Sequence, residues 1–162
     1  MIYEKDQVIF ICDNSPRVND GLASLFKDLQ LDNLRVYQTS SGKELMSKVS
    51  EVVDSGKYPS VIVTDFLLSD CNAIQVCSEI RKNYPPFPIS VIGIGQGAVE
   101  EVTALYRSGV NAYFCKPSTL EEYIPIVHSI AQVWLYGVQP AWKEPQPIND
   151  DRRFYQRRRS RK

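Results

Sequence analysis

The chain is poor in metal ligands: it has one histidine in 162 residues and four cysteines, at 12, 71, 77 and 115. None of the cysteines has the short paired spacing that makes a zinc site. No window approaches the ~18 uncharged apolar residues of a membrane span. The start, Met1-Ile2-Tyr3-Glu4-Lys5-Asp6, lacks the basic region and apolar core of a secretory leader. These absences predict a cytoplasmic protein. The glycine-rich Gly93-Ile94-Gly95-Gln96-Gly97 lacks the lysine and hydroxyl of a phosphate-binding P-loop and does not follow the first strand of a dinucleotide fold, so it reads as a pliable loop. No nucleophile motif of a small phosphatase is present either, and the chain reads as a protein that acts by contact, not by turnover.

Charge is balanced overall and divided along the chain. Residues 152–162 carry seven of the 19 Lys and Arg, so twelve basic residues face 19 acidic ones before them. The body is therefore acidic and the end basic. Residues 1–137 read as one domain and 138–162, with Pro140, Pro145 and Pro147, as an extended Arg-rich tail suited to an acidic partner: protein, nucleic acid or membrane surface. Phe154 and Tyr155 lie among its arginines, while Trp134, Tyr136 and Trp142 point either to a contact surface or to a tail that folds back onto the body.

Three apolar runs of strand character, 8–12, 61–64 and 112–115, end at Asp13, Asp65 and Lys116. Leu34 to Gln38 and Ile89 to Ile92 supply two more strands, and helical periodicity fills the intervals. Ser15-Pro16 opens the first helix, residues 42–54 form the second, and Asn72 with Gln75 makes a capping box for the third, which Pro85-Pro86-Phe87-Pro88 stops. The fourth runs from Ala98 to Ser108 and closes at Gly109. Thr119 and Glu122 stand in capping-box register for a fifth, running to about Tyr136, with Pro125 either kinking it or delaying its regular part to near Ile124. Alternation of this kind predicts an α/β fold, a flavodoxin-like five-stranded parallel sheet of order 2-1-3-4-5 with helices on both faces. In that order strands one and three adjoin, bringing Asp13 beside Asp65. Cys12 and Cys115 read as buried strand residues, Cys71 as the most exposed thiol and His128 as a surface residue.

The segments Phe10-Ile11-Cys12-Asp13-Asn14-Ser15-Pro16, Asp65-Phe66-Leu67-Leu68-Ser69-Asp70-Cys71-Asn72-Ala73 and Tyr113-Phe114-Cys115-Lys116-Pro117 resemble three motifs of the receiver domain of two-component response regulators, the CheY-like family. The likeness covers residues 7–136. It implies that Asp65 is a phosphoacceptor served by a sensor histidine kinase or phosphotransfer protein, that Lys116 pairs with it, and that Asp13, Asn14, Asp65 and the Leu67 carbonyl hold Mg²⁺. It also implies a cis Lys116–Pro117 bond and signalling, including homodimer formation, through the face of helix four, strand five and helix five.

The chain departs from the family pattern at two chemically important places. Asn14 stands where the family has a second acid, and two unit charges 4 Å apart at an effective dielectric of 20 interact by about 4 kcal/mol, so Mg²⁺ binding is expected to be weakened or lost. The switch hydroxyl at the end of strand four is replaced by Gly93, counting forward from Pro88, or by Ile94, counting back from Lys116; Tyr113 keeps the aromatic member of the switch. Two readings follow: an atypical stand-alone response regulator, or a phosphorylation-independent pseudo-receiver in which Lys116 only neutralises two aspartates.

Overall fold

The computed structural model describes residues 6–85 and 87–137; the predicted tail, with Trp142, Phe154 and Tyr155, lies outside the described residues. Five strands, β1 (Gln7–Cys12), β2 (Leu34–Thr39), β3 (Val61–Asp65), β4 (Ser90–Gly95) and β5 (Ala112–Cys115), alternate with α1 (Pro16–Lys27), α2 (Gly42–Asp54), α3 (Ala73–Asn83), α4 (Val99–Arg107) and α5 (Tyr123–Ile130). The sheet is parallel throughout in the order β2-β1-β3-β4-β5, as expected.

Both faces of the sheet are covered, which is why the central strands are almost wholly apolar. Because side chains alternate along a strand, Phe10, Ile62 and Val91 pack under α2, α3 and α4 with Leu45, Val49, Ile80 and Leu105. Ile9, Ile11, Val63 and Ile92 face the other way, against Leu22 and Phe26 of α1 and Tyr123, Val127 and Ile130 of α5.

The helix starts follow local chemistry. Ser15 accepts from the Val18 amide with Pro16 in the first turn, and Asn72 and Gln75 exchange the two bonds of a capping box at 3.0 Å each. Gly109 leaves α4 at φ +97, the left-handed exit that glycine makes without strain. The fifth helix differs from expectation at its start. The Glu122 carboxylate accepts from the Ser118 amide in the preceding loop, so no Thr119–Glu122 box forms, and the helix begins at Tyr123. Pro125 dictates this: as the third residue it falls in the first turn, where a missing N–H breaks no intrahelical bond. Beyond Ile130 the helix widens into a π-helical segment, Ala131–Gly137.

Cys115 is exposed, not packed: it ends a four-residue edge strand and leaves the sheet without a cover, while Cys71 is half-buried. Lys116–Pro117 is trans, the form that X–Pro bonds favour by roughly 0.5–1 kcal/mol, and the described residues contain no cis peptide. His128 is exposed, and Trp134 packs against the α1/α5 layer while Tyr136 stays outside.

Candidate functional site

Cys12 and Thr64 are register partners on adjoining strands, so the residues that follow them, Asp13 and Asp65, emerge side by side at the carboxyl edge of the sheet. Lys116 arrives from beyond β4. Its amide donates to the Gly95 carbonyl (2.8 Å), and its Nζ lies 2.6 Å from Asp65 Oδ2 and 3.2 Å from Asp13 Oδ2. The three expected charged residues are therefore one cluster, with side chains 5% exposed at Asp13, 11% at Asp65 and 21% at Lys116.

The Asp13 side is held by backbone bonds. Its other carboxylate oxygen accepts from the Ser15 amide (2.8 Å). The buried Asn19 amide donates to the carbonyls of Asp13 (2.9 Å) and Thr39 (2.7 Å), sewing the β1–α1 turn to the end of β2. Asn19 carries no local signal, because both acceptors are remote or inside a turn; only the tertiary packing identifies it.

Electrostatics in the cluster are opposed. Burial pushes the Asp65 carboxyl above its usual range, the Lys116 hydrogen bond pulls it back, and the Asp13 charge adds to the rise. For Lys116 burial acts downward, but the hydrogen bond to Asp65 and the charges of both aspartates outweigh it and the ammonium titrates higher than usual.

Asn14 is exposed next to Asp13. Leu67 is 66% exposed in a tight turn closed by Leu68 N–H to the Cys71 carbonyl and Ala73 N–H to the Phe66 carbonyl, both 2.9 Å. Two carboxylates, a carboxamide and a loop carbonyl are hard oxygen donors, the kind that Mg²⁺ prefers, so the donor set fits that ion in chemical type. Its charge is that of two acids, not three; among the described residues no group of three His, Cys, Asp or Glu side chains gathers into a metal-binding cluster.

At the positions expected for the switch, Ile94 is the register partner of Asp65 and is buried on the α1/α5 face, and Gly93 pairs with Thr64 and faces α4. Neither offers a hydroxyl. The glycine-rich run is not a slack loop: Gly93 and Gly95 are buried in β4, and with Gly97 they form a track along one side of the strand. A Cβ at these three positions would lie 3.4, 3.0 and 2.8 Å from the Tyr113 side chain. The Tyr113 hydroxyl accepts from the Gly97 amide at 2.6 Å. Glycine at every second residue thus opens a slot, which Leu105 occupies at Gly93 (2.7 Å from a Cβ there), which Phe66 (2.6 Å) and the Tyr113 hydroxyl share at Gly95, and which that hydroxyl reaches at Gly97.

Comparison with known proteins places these features. The family profile of the response regulator receiver domain matches residues 9–128. Among curated proteins the chain is 24% identical over 128 residues to response regulator protein VraR of Staphylococcus aureus (strain NCTC 8325 / PS 47), covering 78% of this chain and 56% of that protein. It is 26% identical over 118 residues to VraR of Staphylococcus epidermidis, covering 72% and 52%. The chain thus spans about half the length of the curated relatives it matches. Among solved structures the Mn²⁺-bound form of response regulator Rcp1 superposes with TM-score 0.71 at 22% identity, covering 82% of this chain and 97% of that one. The phosphorylated cyanobacterial phytochrome response regulator RcpA gives 0.74 at 19%, covering 83% and 98%. At these identities the structural likeness speaks for the fold, while the profile spans most of the chain and all three charged residues of the cluster: the chain belongs to the response regulator receiver domain family, the signalling modules of two-component systems.

Proposed function

We propose that this receiver works as an atypical, cytoplasmic response regulator module with Asp65 as phosphoacceptor, signalling by protein contact through α4, β5 and α5. The observation that carries this is the Lys116 ammonium spanning Asp65 and Asp13, with Asp65 the closer partner. A histidine kinase or phosphotransfer protein would present the phosphoryl group. An Asp65 carboxylate oxygen forms the new bond to phosphorus as the bond to the donor nitrogen breaks, and the electron pair leaves with that nitrogen. Lys116 is already within reach of the oxygens that would carry the charge. Asp13, Asn14, Asp65 and the Leu67 carbonyl would hold Mg²⁺, which when bound supplies further neutralisation of the phosphoryl charge; Asn14 makes this binding weaker than a third carboxylate would. The signalling face includes Val99 (77% exposed), Tyr106 (49%) and Ile124 (41%), apolar surface suited to a protein target or a second copy of the chain. The basic segment 152–162 would add affinity for an acidic partner.

The test is incubation with Mg²⁺ and acetyl phosphate. The expected result is a mass gain of one phosphoryl group that Asp65→Asn abolishes; absence of any gain in a folded wild-type protein refutes the phosphoacceptor role. A second reading, a phosphorylation-independent interaction module, is favoured by one observation: Tyr113 is bonded to Gly97 while neither Gly93 nor Ile94 can report a phosphoryl group. Equal partner binding by wild type and Asp65→Asn would select it.

A further inference from the structure

Tyr123 is 1% exposed, and its hydroxyl is the buried side-chain polar atom that lacks a hydrogen-bond partner among the described residues. An orphaned buried hydroxyl lowers the folding constant by about tenfold or more, a cost that phenylalanine in the same ring space would avoid. Its position in the fold says which partner the hydroxyl could serve.

Helix α5 runs opposite to the strands, since its π-helical continuation reaches the amino end of β1, where Gln7 donates to the Leu135 carbonyl (2.9 Å). Tyr123, the first residue of α5, therefore lies at the other edge, where Asp13, Asp65 and Lys116 meet. Helical side chains lean toward the helix N-terminus, which carries the phenol further in that direction. Its apolar layer contains Ile11, Val63 and Ile94. Ile11 and Val63 each stand two residues before an aspartate on the same sheet face, and Ile94 is the register partner of Asp65. The ring thus belongs to the layer just beneath the carboxylates. The charges that act on the phenol are those of Lys116, Asp13 and Asp65, and burial keeps it protonated as a donor.

We propose that the Tyr123 hydroxyl is a reserve hydrogen-bond donor to the Asp13–Asp65 pair, taking over carboxylate oxygen that Lys116 releases when its ammonium turns to a phosphoryl group. Tyr123 is on this account a positioning residue of the acceptor site, and the event that calls on it rests on the reading of Asp65 as phosphoacceptor.

The deciding experiment is a urea-unfolding cycle of the full chain at pH 7 with Tyr123→Phe, Lys116→Met and the double variant. In the wild-type background Tyr123→Phe should leave the folding constant unchanged or raise it. In the Lys116→Met background, where the carboxylates have lost their amine, it should lower the constant by about tenfold. Failure of only the double variant to fold would be the same result in extreme form. Effects that add within about twofold overturn the proposal. Tyrosine ring NMR on the wild type, with the Tyr123 signal assigned by its loss in Tyr123→Phe, supplies the second arm. That signal should shift on binding beryllofluoride with Mg²⁺, and bound beryllofluoride without a shift overturns the proposal. If wild type binds no beryllofluoride, the phosphoacceptor reading fails by itself, and the urea cycle alone then decides for or against the reserve donor.

Discussion

Replacing Gly97 by alanine tests the glycine track directly. Gly97 has no left-handed φ, so alanine fits its backbone, and through the unfolded chain alone it should stabilise by about 0.4–1 kcal/mol. The new Cβ would lie 2.8 Å from the Tyr113 hydroxyl and 2.8 Å from Val102 Cγ2, an overpacking that costs about 1–3 kcal/mol. Displacing the phenol also breaks its bond to the Gly97 amide, about 1 kcal/mol more. Gly97→Ala should therefore destabilise by about 2 kcal/mol. Tyr113→Phe removes only the hydroxyl and should cost about 1 kcal/mol. In the double variant the oxygen in the way is gone, the next ring atom, Cζ, is 3.3 Å from the new Cβ, and the lost bond is counted once. The double variant should then fall short of the sum of the singles by about 1 kcal/mol, read by urea unfolding at constant m. Singles that add to within about 0.5 kcal/mol would mean that Tyr113 does not occupy the slot in solution.

Lys116→Met strips the amine from two buried carboxylates and should cost about 3 kcal/mol at pH 7 in urea titrations, a deficit that shrinks in acid as Asp65 takes up a proton. Because the Asp65 carboxyl titrates higher in the folded than in the unfolded chain, its ionisation lowers stability as pH rises through the folded value; Asp65→Asn should raise Tm at pH 7 and lose that advantage below about pH 4. For Lys116, raised on folding, the contribution is complete below about pH 10.5 and fades as pH climbs through its higher folded value, visible as a steeper alkaline fall of Tm in wild type than in Lys116→Met. A thiol reagent at pH 8 should modify Cys115 first, with Cys12, buried and pushed up to about 12, reacting only on unfolding; mass mapping of Cys12 in the native protein would contradict its burial.

What the sequence made legible were features with a local cause. The strands of the sheet centre are continuous apolar runs, the Asn72–Gln75 box is a four-residue signature, and crossover handedness orders the strands once they are counted. The meeting of Asp13, Asp65 and Lys116 followed from that order. Features whose cause is tertiary were not legible. Cys115 has a strand neighbourhood, but β5 is a short edge and leaves it uncovered. Thr119 and Glu122 have the spacing of a cap, yet a proline three residues on decides where the helix starts. The hydroxyl that meets the Gly97 amide comes from a residue sixteen positions away, and Tyr123 sits in an apolar helical stripe that gives no hint of an unmet hydroxyl.

The turn that begins at Asp65 also extends to the far side of the sheet. Five residues on, the Asp70 carboxylate accepts from the Gly42 and Lys43 amides at the start of α2, each at 2.8 Å. The Asp65–Cys71 turn is thereby tethered to a helix remote from α4 and β5. If Asp65 takes up a phosphoryl group as proposed, a shift of this turn would be felt directly at the start of α2, and a protein gripping that end would sense it without touching Tyr113.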